Sequence, residues 1–254
     1  MGLSPSDWHL RYLQQALWTR DLRRYLLGRA GIAQANRALE VGCGTGAILS
    51  DIPDTRSANS LEIHGLDINQ ENLELARAHA PTSNLIQGDA HFLPYETASI
   101  DLTFCHFLLL WVRDPIQTIA EMKRVTRSGG AVIALAEPDY GGRIDYPAEL
   151  SQLGDWQRQS LIQQGADPLI GRRLAAIFHS ANLVDVETGV LGGQWRQGLS
   201  KEGFENEWRV LLDDLAEVAP KAKIGELRKM DEIAWLRGER ILYVPTFYAW
   251  ARRL

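Results

Sequence analysis

From residue 38 onward the chain alternates short apolar runs with stretches of helical periodicity, and few architectures accommodate that alternation. Runs at Ala38–Val41, Leu61–Asp67, Asn84–Gln87, Ile100–Cys105 and Ala131–Glu137 read as strands. The spacing predicts helices over Ala47–Ile52, Gln70–Ala80 and Pro115–Thr126 between them. Asn69 is placed to cap the second of these, and Ser128-Gly129-Gly130 ends the third. Repeated strand–helix units give a mostly parallel sheet, hence an α/β fold. A helix over Pro168–Asn182 and strands at Val184–Val190 and Ile241–Ala249 extend the pattern, the last made irregular by Pro245.

Helical segments flank and interrupt this core. Ser4-Pro5-Ser6-Asp7 is a helix-start signal, Trp8, Tyr12, Leu17 and Trp18 follow at near-helical spacing, and Thr19 is placed to cap a second helix ending near Gly28 or Gly31. Arg11, Arg20, Arg23, Arg24 and Arg29 against Asp7 and Asp21 make this arm locally basic, the pattern of a solvated helix face. A second helical region runs from Gln194 to Arg240. Phe204, Trp208, Leu211, Leu212, Leu215 and Val218 mark one amphipathic helix stopped by Pro220, and Ile224, Leu227 and Ala234 a second. With no repeat or flexible linker, residues 1–254 read as a single domain with helical decorations.

The two cysteines, Cys43 and Cys105, form neither a disulfide framework nor a metal-binding spacing, so a reducing cytoplasm is the expected compartment. The longest strongly apolar stretch, Phe107 to Val112, is far below the ~18 residues that span a bilayer, and no signal-peptide pattern is present. Met1 to Ser6 fit the loose myristoylation pattern without the polybasic patch that would support it. A net charge of -5 weighs against a dedicated nucleic-acid binder.

The chemically informative segment is Leu39-Glu40-Val41-Gly42-Cys43-Gly44-Thr45-Gly46, where the first strand hands over to a helix. Glycines there allow a tight turn and bring bare backbone close to a ligand. The spacing departs from the Gly-x-Gly-x-x-Gly of dinucleotide binders, and no Gly-Lys-Ser/Thr follows. Asp67 ends the second strand, where a carboxylate accepts hydrogen bonds from both hydroxyls of a ribose. Gln87-Gly88-Asp89-Ala90 ends the third, where an acid and adjacent backbone suit an adenine edge. Three successive strand ends thus carry a glycine turn, an acid and an acid, all on the carboxyl edge of the sheet.

Leu39–Gly46 resembles motif I of the class I S-adenosylmethionine-dependent methyltransferases, in particular the broad family of ubiquinone/menaquinone-biosynthesis and small-molecule methyltransferases. The resemblance continues through Gly65-Leu66-Asp67-Ile68, Gln87–Ala90, Leu93-Pro94-Tyr95, Ser99–Leu102 and Glu121–Gly130, covering about residues 36–140. It implies a Rossmann-like seven-stranded sheet of order 3-2-1-4-5-7-6 with the last strand antiparallel, and S-adenosylmethionine as cofactor. It also implies roles. Gly42, Cys43, Gly44 and Gly46 line the methionine moiety and ribose, and Glu40 holds the loop or the cofactor ammonium. Asp67 takes the ribose hydroxyls, and Ile68 lies against an adenine face. Asp89 and Ala90 read the adenine edge, with His91 covering it, and Cys105 stands where backbone meets the ammonium. Tyr12, Trp18 and Arg20 are candidates to reach the cofactor carboxylate.

Transfer of a methyl group from a sulfonium requires mainly proximity and alignment, with a base only where the acceptor must lose a proton. His106 is the first candidate base and His91 the second. Tyr140, Asp139 and Arg143 are placed to orient an acceptor. Missing motifs narrow the acceptor. No Asn/Asp-Pro-Pro-Tyr/Phe follows the fourth strand, no glutamate pair marks an arginine methyltransferase, and no Asp-rich metal set is evident. The expectation is a small or medium organic acceptor methylated at O, N or C and no metal. Its roof would be the arm 1–35, the stretch Tyr146–Asp167 and the insert, with Trp8, Trp18, Trp156, Trp195 and Trp208 contributing. A non-catalytic cofactor-binding module and an RNA methyltransferase are the alternatives. The sequence leaves the oligomeric state unread.

Overall fold

A computed structural model describes residues 4–52, 61–192 and 201–254. Trp195, the start of the 194–240 insert and the myristoylation pattern at Gly2 lie outside the described residues. The chain order is α1 (Pro5–Trp18), α2 (Arg20–Ala30), β1 (Arg37–Val41), β2 (Glu62–Asp67), α3 (Gln70–His79), β3 (Asn84–Gln87), β4 (Ile100–Cys105), α4 (Pro115–Val125) and β5 (Thr126–Pro138). Then come β6 (Ile144–Tyr146), α5 (Ser151–Gln163), α6 (Leu174–Ser180), β7 (Glu187–Leu191), α7 (Lys201–Leu215), α8 (Lys221–Leu236), β8 (Ile241–Tyr243) and β9 (Thr246–Arg252).

Seven strands form the main sheet in the order β3-β2-β1-β4-β5-β9-β7. Neighbours from β3 to β5 pair in parallel, whereas β9 runs antiparallel to both β5 and β7. This is the expected 3-2-1-4-5-7-6 order, its numbering displaced because β6 and β8 pair in a separate two-stranded ribbon. The expected strand Ile241–Ala249 is therefore two strands. Ile241–Tyr243 joins the ribbon, Pro245 interrupts the ladder because it has no N–H to donate, and the sheet strand runs on to Arg252.

Side chains alternate across this sheet as the pleat requires. Along β5, Val132 and Ala134 face a core shared with α4 and α6, while Ala131, Ile133 and Leu135 face one shared with α2 and α3. A third core, separate from the sheet, joins Leu150 and Leu153 to Phe204, Trp208, Leu211 and Leu215 of α7 and Ile224 and Leu227 of α8.

Local signals explain some of the helix starts. Ser4 Oγ accepts the Asp7 N–H and Asp7 accepts the Ser4 N–H, a reciprocal capping box. Asn69 Oδ1 accepts from the Glu71 and Asn72 amides at the start of α3. Thr19 precedes α2 but does not cap it, because its hydroxyl turns back to the Gln15 carbonyl. Ala47–Ile52 is a turn followed by one 3-10 turn at Leu49–Asp51 instead of an α-helix, and Pro168–Asn182 is α-helical only over α6. The basic arm differs from the expected solvated face. Arg11 and Arg23 are buried, and Arg23 pairs with Asp51.

Candidate active site

A cavity of ≈ 400 Å³ opens at the carboxyl ends of β1, β2, β4 and β5. Its floor is the loop after β1. The Gly42 and Cys43 amides donate to the Leu66 carbonyl at 2.7 and 3.0 Å, and the Gly44 amide donates to Asp67 Oδ2 at 2.8 Å. Gly42, Gly44 and Gly46 all have positive φ, a conformation that L side chains rarely adopt. A Cβ at Gly46 would sit 3.3 Å from the Ala76 backbone, so this glycine serves close packing on α3 and does not line the cavity.

Glu40 is 2% exposed, lines the cavity, and its Oε2 has no hydrogen-bond partner. Burial lifts its carboxyl well above the usual range, against the opposing pull of Arg23. A buried polar atom left without a partner is costly, so the geometry suits a ligand that supplies a donor there. Asp67 holds the loop through the Gly44 and Asn69 amides, one on each carboxylate oxygen. Each oxygen keeps capacity for a further donor. Ile68 is exposed at the cavity mouth beside Asn72, and Cys43 lies below, its thiol pushed up by burial and the neighbouring acids.

The structure therefore gathers Glu40, Gly42, Cys43, Gly44, Asp67, Ile68, His106 and Tyr140 around one cavity. It leaves Asp89, Ala90, His91 and Cys105 outside the lining. The His91 ring is buried and fixed: Nδ1 lies 2.6 Å from Asp89 Oδ1, and Nε2 accepts the Asp114 amide. Asp89 also accepts the His91 amide, and these bonds hold its carboxyl below the usual range. Cys105 turns its sulfur into the sheet core, 4.0 Å from Glu137.

His106 reaches the cavity, but Nε2 lies 2.9 Å from the Thr19 hydroxyl. Burial, with Arg23 nearby, pushes its pKa down to about 3. It is neutral near pH 7 and holds a proton too weakly for a strong base. Phe107, next in the chain, has φ 51°, a strained conformation for a non-glycine residue. Tyr140 stays a neutral donor, its hydroxyl pushed up mainly by burial.

The other end of the cavity joins Trp8 and Tyr12, both expected at the site, to side chains that the sequence did not single out. Trp8, Arg11, Tyr12 and Gln15 come from α1, Gln157, Leu161 and Gln164 from α5 and its C-terminal end, and Val210 and Asp214 from α7. Phe107, Leu108, Leu110 and Trp111 complete the wall after β4. Trp18, Arg20, Trp156 and Trp208 are absent from the lining; Trp208 is core, its indole N–H donating to Asp231. A smaller cavity of ≈ 230 Å³ between α1 and α7 shares Arg11 and Val210 with the main one.

Asp139 and Arg143, expected to orient an acceptor, are committed elsewhere. Asp139 pairs with Arg172, and Arg143 with Asp145 and the Gln157 side chain. Glu137 accepts the Leu108 and Leu109 amides, both at 3.0 Å, and the Leu110 amide at 3.4 Å. Among the described residues, no three His, Cys, Asp or Glu side chains cluster to hold a metal ion.

Sheet order, the glycine loop after β1 and the acid at the end of β2 together form the fold of class I S-adenosylmethionine-dependent methyltransferases. Residues 39–134 match the family described as Methyltransferase domain. It is 34% identical over 173 residues to an uncharacterized 37.1 kDa protein in transposon TN4556 of Streptomyces fradiae, covering 65% of this chain and 49% of that protein. It is 31% identical over 125 residues to demethylmenaquinone methyltransferase of Renibacterium salmoninarum, covering 48% and 51%. The matches span about half the length of these relatives. Among solved structures, geranyl diphosphate methyltransferase in complex with S-adenosylmethionine superimposes with a TM-score of 0.56 at 13% identity, over 93% of this chain and 85% of that one.

Proposed function

We propose that this chain transfers the methyl group of S-adenosylmethionine to a small or medium organic acceptor bound under α1, α5 and α7. One observation carries the reading: the glycine loop, the unpartnered Glu40 oxygen and Asp67 open into the same cavity as a polar, aromatic-walled chamber. S-adenosylmethionine, when bound, supplies an electrophilic methyl on a sulfonium. Glu40 would meet its ammonium and Asp67 its ribose hydroxyls, with Ile68 against the adenine. The cap would exclude water and align the acceptor, which supplies most of what an in-line displacement requires. His106 is neutral and bonded to Thr19, so its role would be to fix α1 over the site, not to remove a proton.

The cap in this proposal is narrower than the arm and insert as a whole. Of the arm, α1 reaches the cavity while α2 covers the sheet; of the insert, α7 reaches it while α8 packs in the cap core. An RNA substrate would need a free basic face. Arg23 is buried against Asp51, and Arg29 is paired with Glu187, so the arm offers little of one. No described helix is long and apolar enough to cross a membrane. Both thiols are free and buried, in keeping with the proposed cytoplasmic setting.

Calorimetric titration with S-adenosylmethionine and S-adenosylhomocysteine, with NADH as control, tests the reading. Micromolar binding of the first two supports it, and equal binding of NADH overturns it. Cofactor binding with no turnover across a broad acceptor screen would favour a non-catalytic module.

A further inference from the structure

Asp214 is a carboxylate whose position in the cavity demands a partner. It lies on α7, is 8% exposed, and lines the chamber beyond the glycine loop. Gln157 Nε2 donates to Oδ2 at 2.8 Å, and Gln157 is itself held by Arg143 at 2.6 Å, so the carboxylate is fixed in place. The cations nearby are spent on other acids. Arg11 pairs with Glu207 at 2.6 Å and Arg143 with Asp145 at 2.7 Å. Among the described residues, Asp214 has no ion-pair partner. Its burial is offset only in part, by the Gln157 and Gln164 side chains and the more distant charge of Arg11, and its carboxyl is pushed above the usual range.

The remaining walls agree in sign and shape. Glu40 and Asp67 add acids to the same cavity, against Arg11 as its one lining guanidinium or ammonium among the described residues. An anionic acceptor would enter a chamber already rich in carboxyls. The aromatic faces of Trp8, Tyr12 and Trp111 favour a flat or apolar body and attract a cation.

We propose that Asp214 selects an acceptor that carries a protonated amine on an aromatic or alicyclic body, the ammonium docking against the carboxylate. The assignment names the group that anchors the acceptor, whichever of its atoms takes the methyl. It rests on the methyltransferase reading of the cavity, and its test separates the two.

Three matched probes suffice: 2-phenylethylamine, 2-phenylethanol and phenylacetate, titrated into the full chain saturated with S-adenosylhomocysteine. The ammonium should bind roughly tenfold or more tighter than the alcohol, and the carboxylate weakest. In Asp214→Asn the three affinities should converge while S-adenosylhomocysteine affinity is kept. Asp214→Glu should restore part of the preference for the ammonium. Alcohol or carboxylate binding as tight as the amine in the unaltered chain overturns the proposal, without reliance on any variant. So does an ammonium affinity weaker than about 10 mM, or a preference that survives Asp214→Asn. Failure of S-adenosylhomocysteine to bind would instead strike the cofactor reading, and the probe ranking would then be taken in its absence.

Discussion

In the proposed site Asp67 would carry two tasks at once, because each carboxylate oxygen already holds a loop amide. Asp67→Ala should therefore lower S-adenosylmethionine affinity roughly 100-fold by calorimetry, through lost hydroxyl contacts and a slackened loop. Glu137 and His106 give the fold opposite responses to pH. Burial pushes Glu137 up to about 8 from an ordinary 4.5, so the folded chain keeps a proton that the unfolded chain releases. That contribution is complete below pH 4.5 and is lost as pH rises toward 8. Glu137→Gln should flatten the fall in melting temperature over this window. Glu137→Ala should cost about 3 kcal/mol in urea unfolding, because three amides lose their acceptor. His106 has the reverse sign: pushed down to about 3 from 6.5, it resists a proton that the unfolded chain accepts. Its contribution is complete above pH 6.5 and is lost as pH falls toward 3. Melting scans of His106→Gln should show a shallower acid limb.

At the scale of elements, legibility followed periodicity. The parallel strands and α3 and α4 stand out in the sequence because apolar runs, caps and glycine turns all agree on them. The β6–β8 ribbon does not, since strands of three residues carry no alternation long enough to read. The glycine loop and Asp67 were legible for the same reason as their strands, whose ends they form. Arg11 and Asp214 were not. The first sat in an arginine-rich arm that resembles a solvated face, and the second between Leu211 and Leu215 on a helix that reads as core. Only the approach of α1, α5 and α7 turns those positions inward, and no local pattern records a tertiary approach. The same limit hid the ion network beneath the cap. Asp145 lies between Arg143 and Arg240, at 2.7 and 2.6 Å, and all three side chains are buried. Asp145→Ala should cost about 3–5 kcal/mol of stability in chemical denaturation, because two buried guanidinium groups lose a counter-charge.

Across the whole molecule, the sheet is completed by the strand that comes last. β9 lies between β5 and β7 and supplies both with their hydrogen-bond partner. Truncation after Tyr243 should accordingly abolish the cooperative melting transition, although every cavity-lining side chain would still be encoded. Residues 139–245, including the cap core, separate β5 from its neighbour β9. A chain emerging from the ribosome can thus assemble the parallel strands β1 to β5 and the glycine loop early, from contacts between successive elements. The proposed acceptor chamber must wait, and β7 leaves the exit tunnel with its partner still unmade. On the proposed function, the nascent chain would be ready to hold S-adenosylmethionine well before it could hold an acceptor.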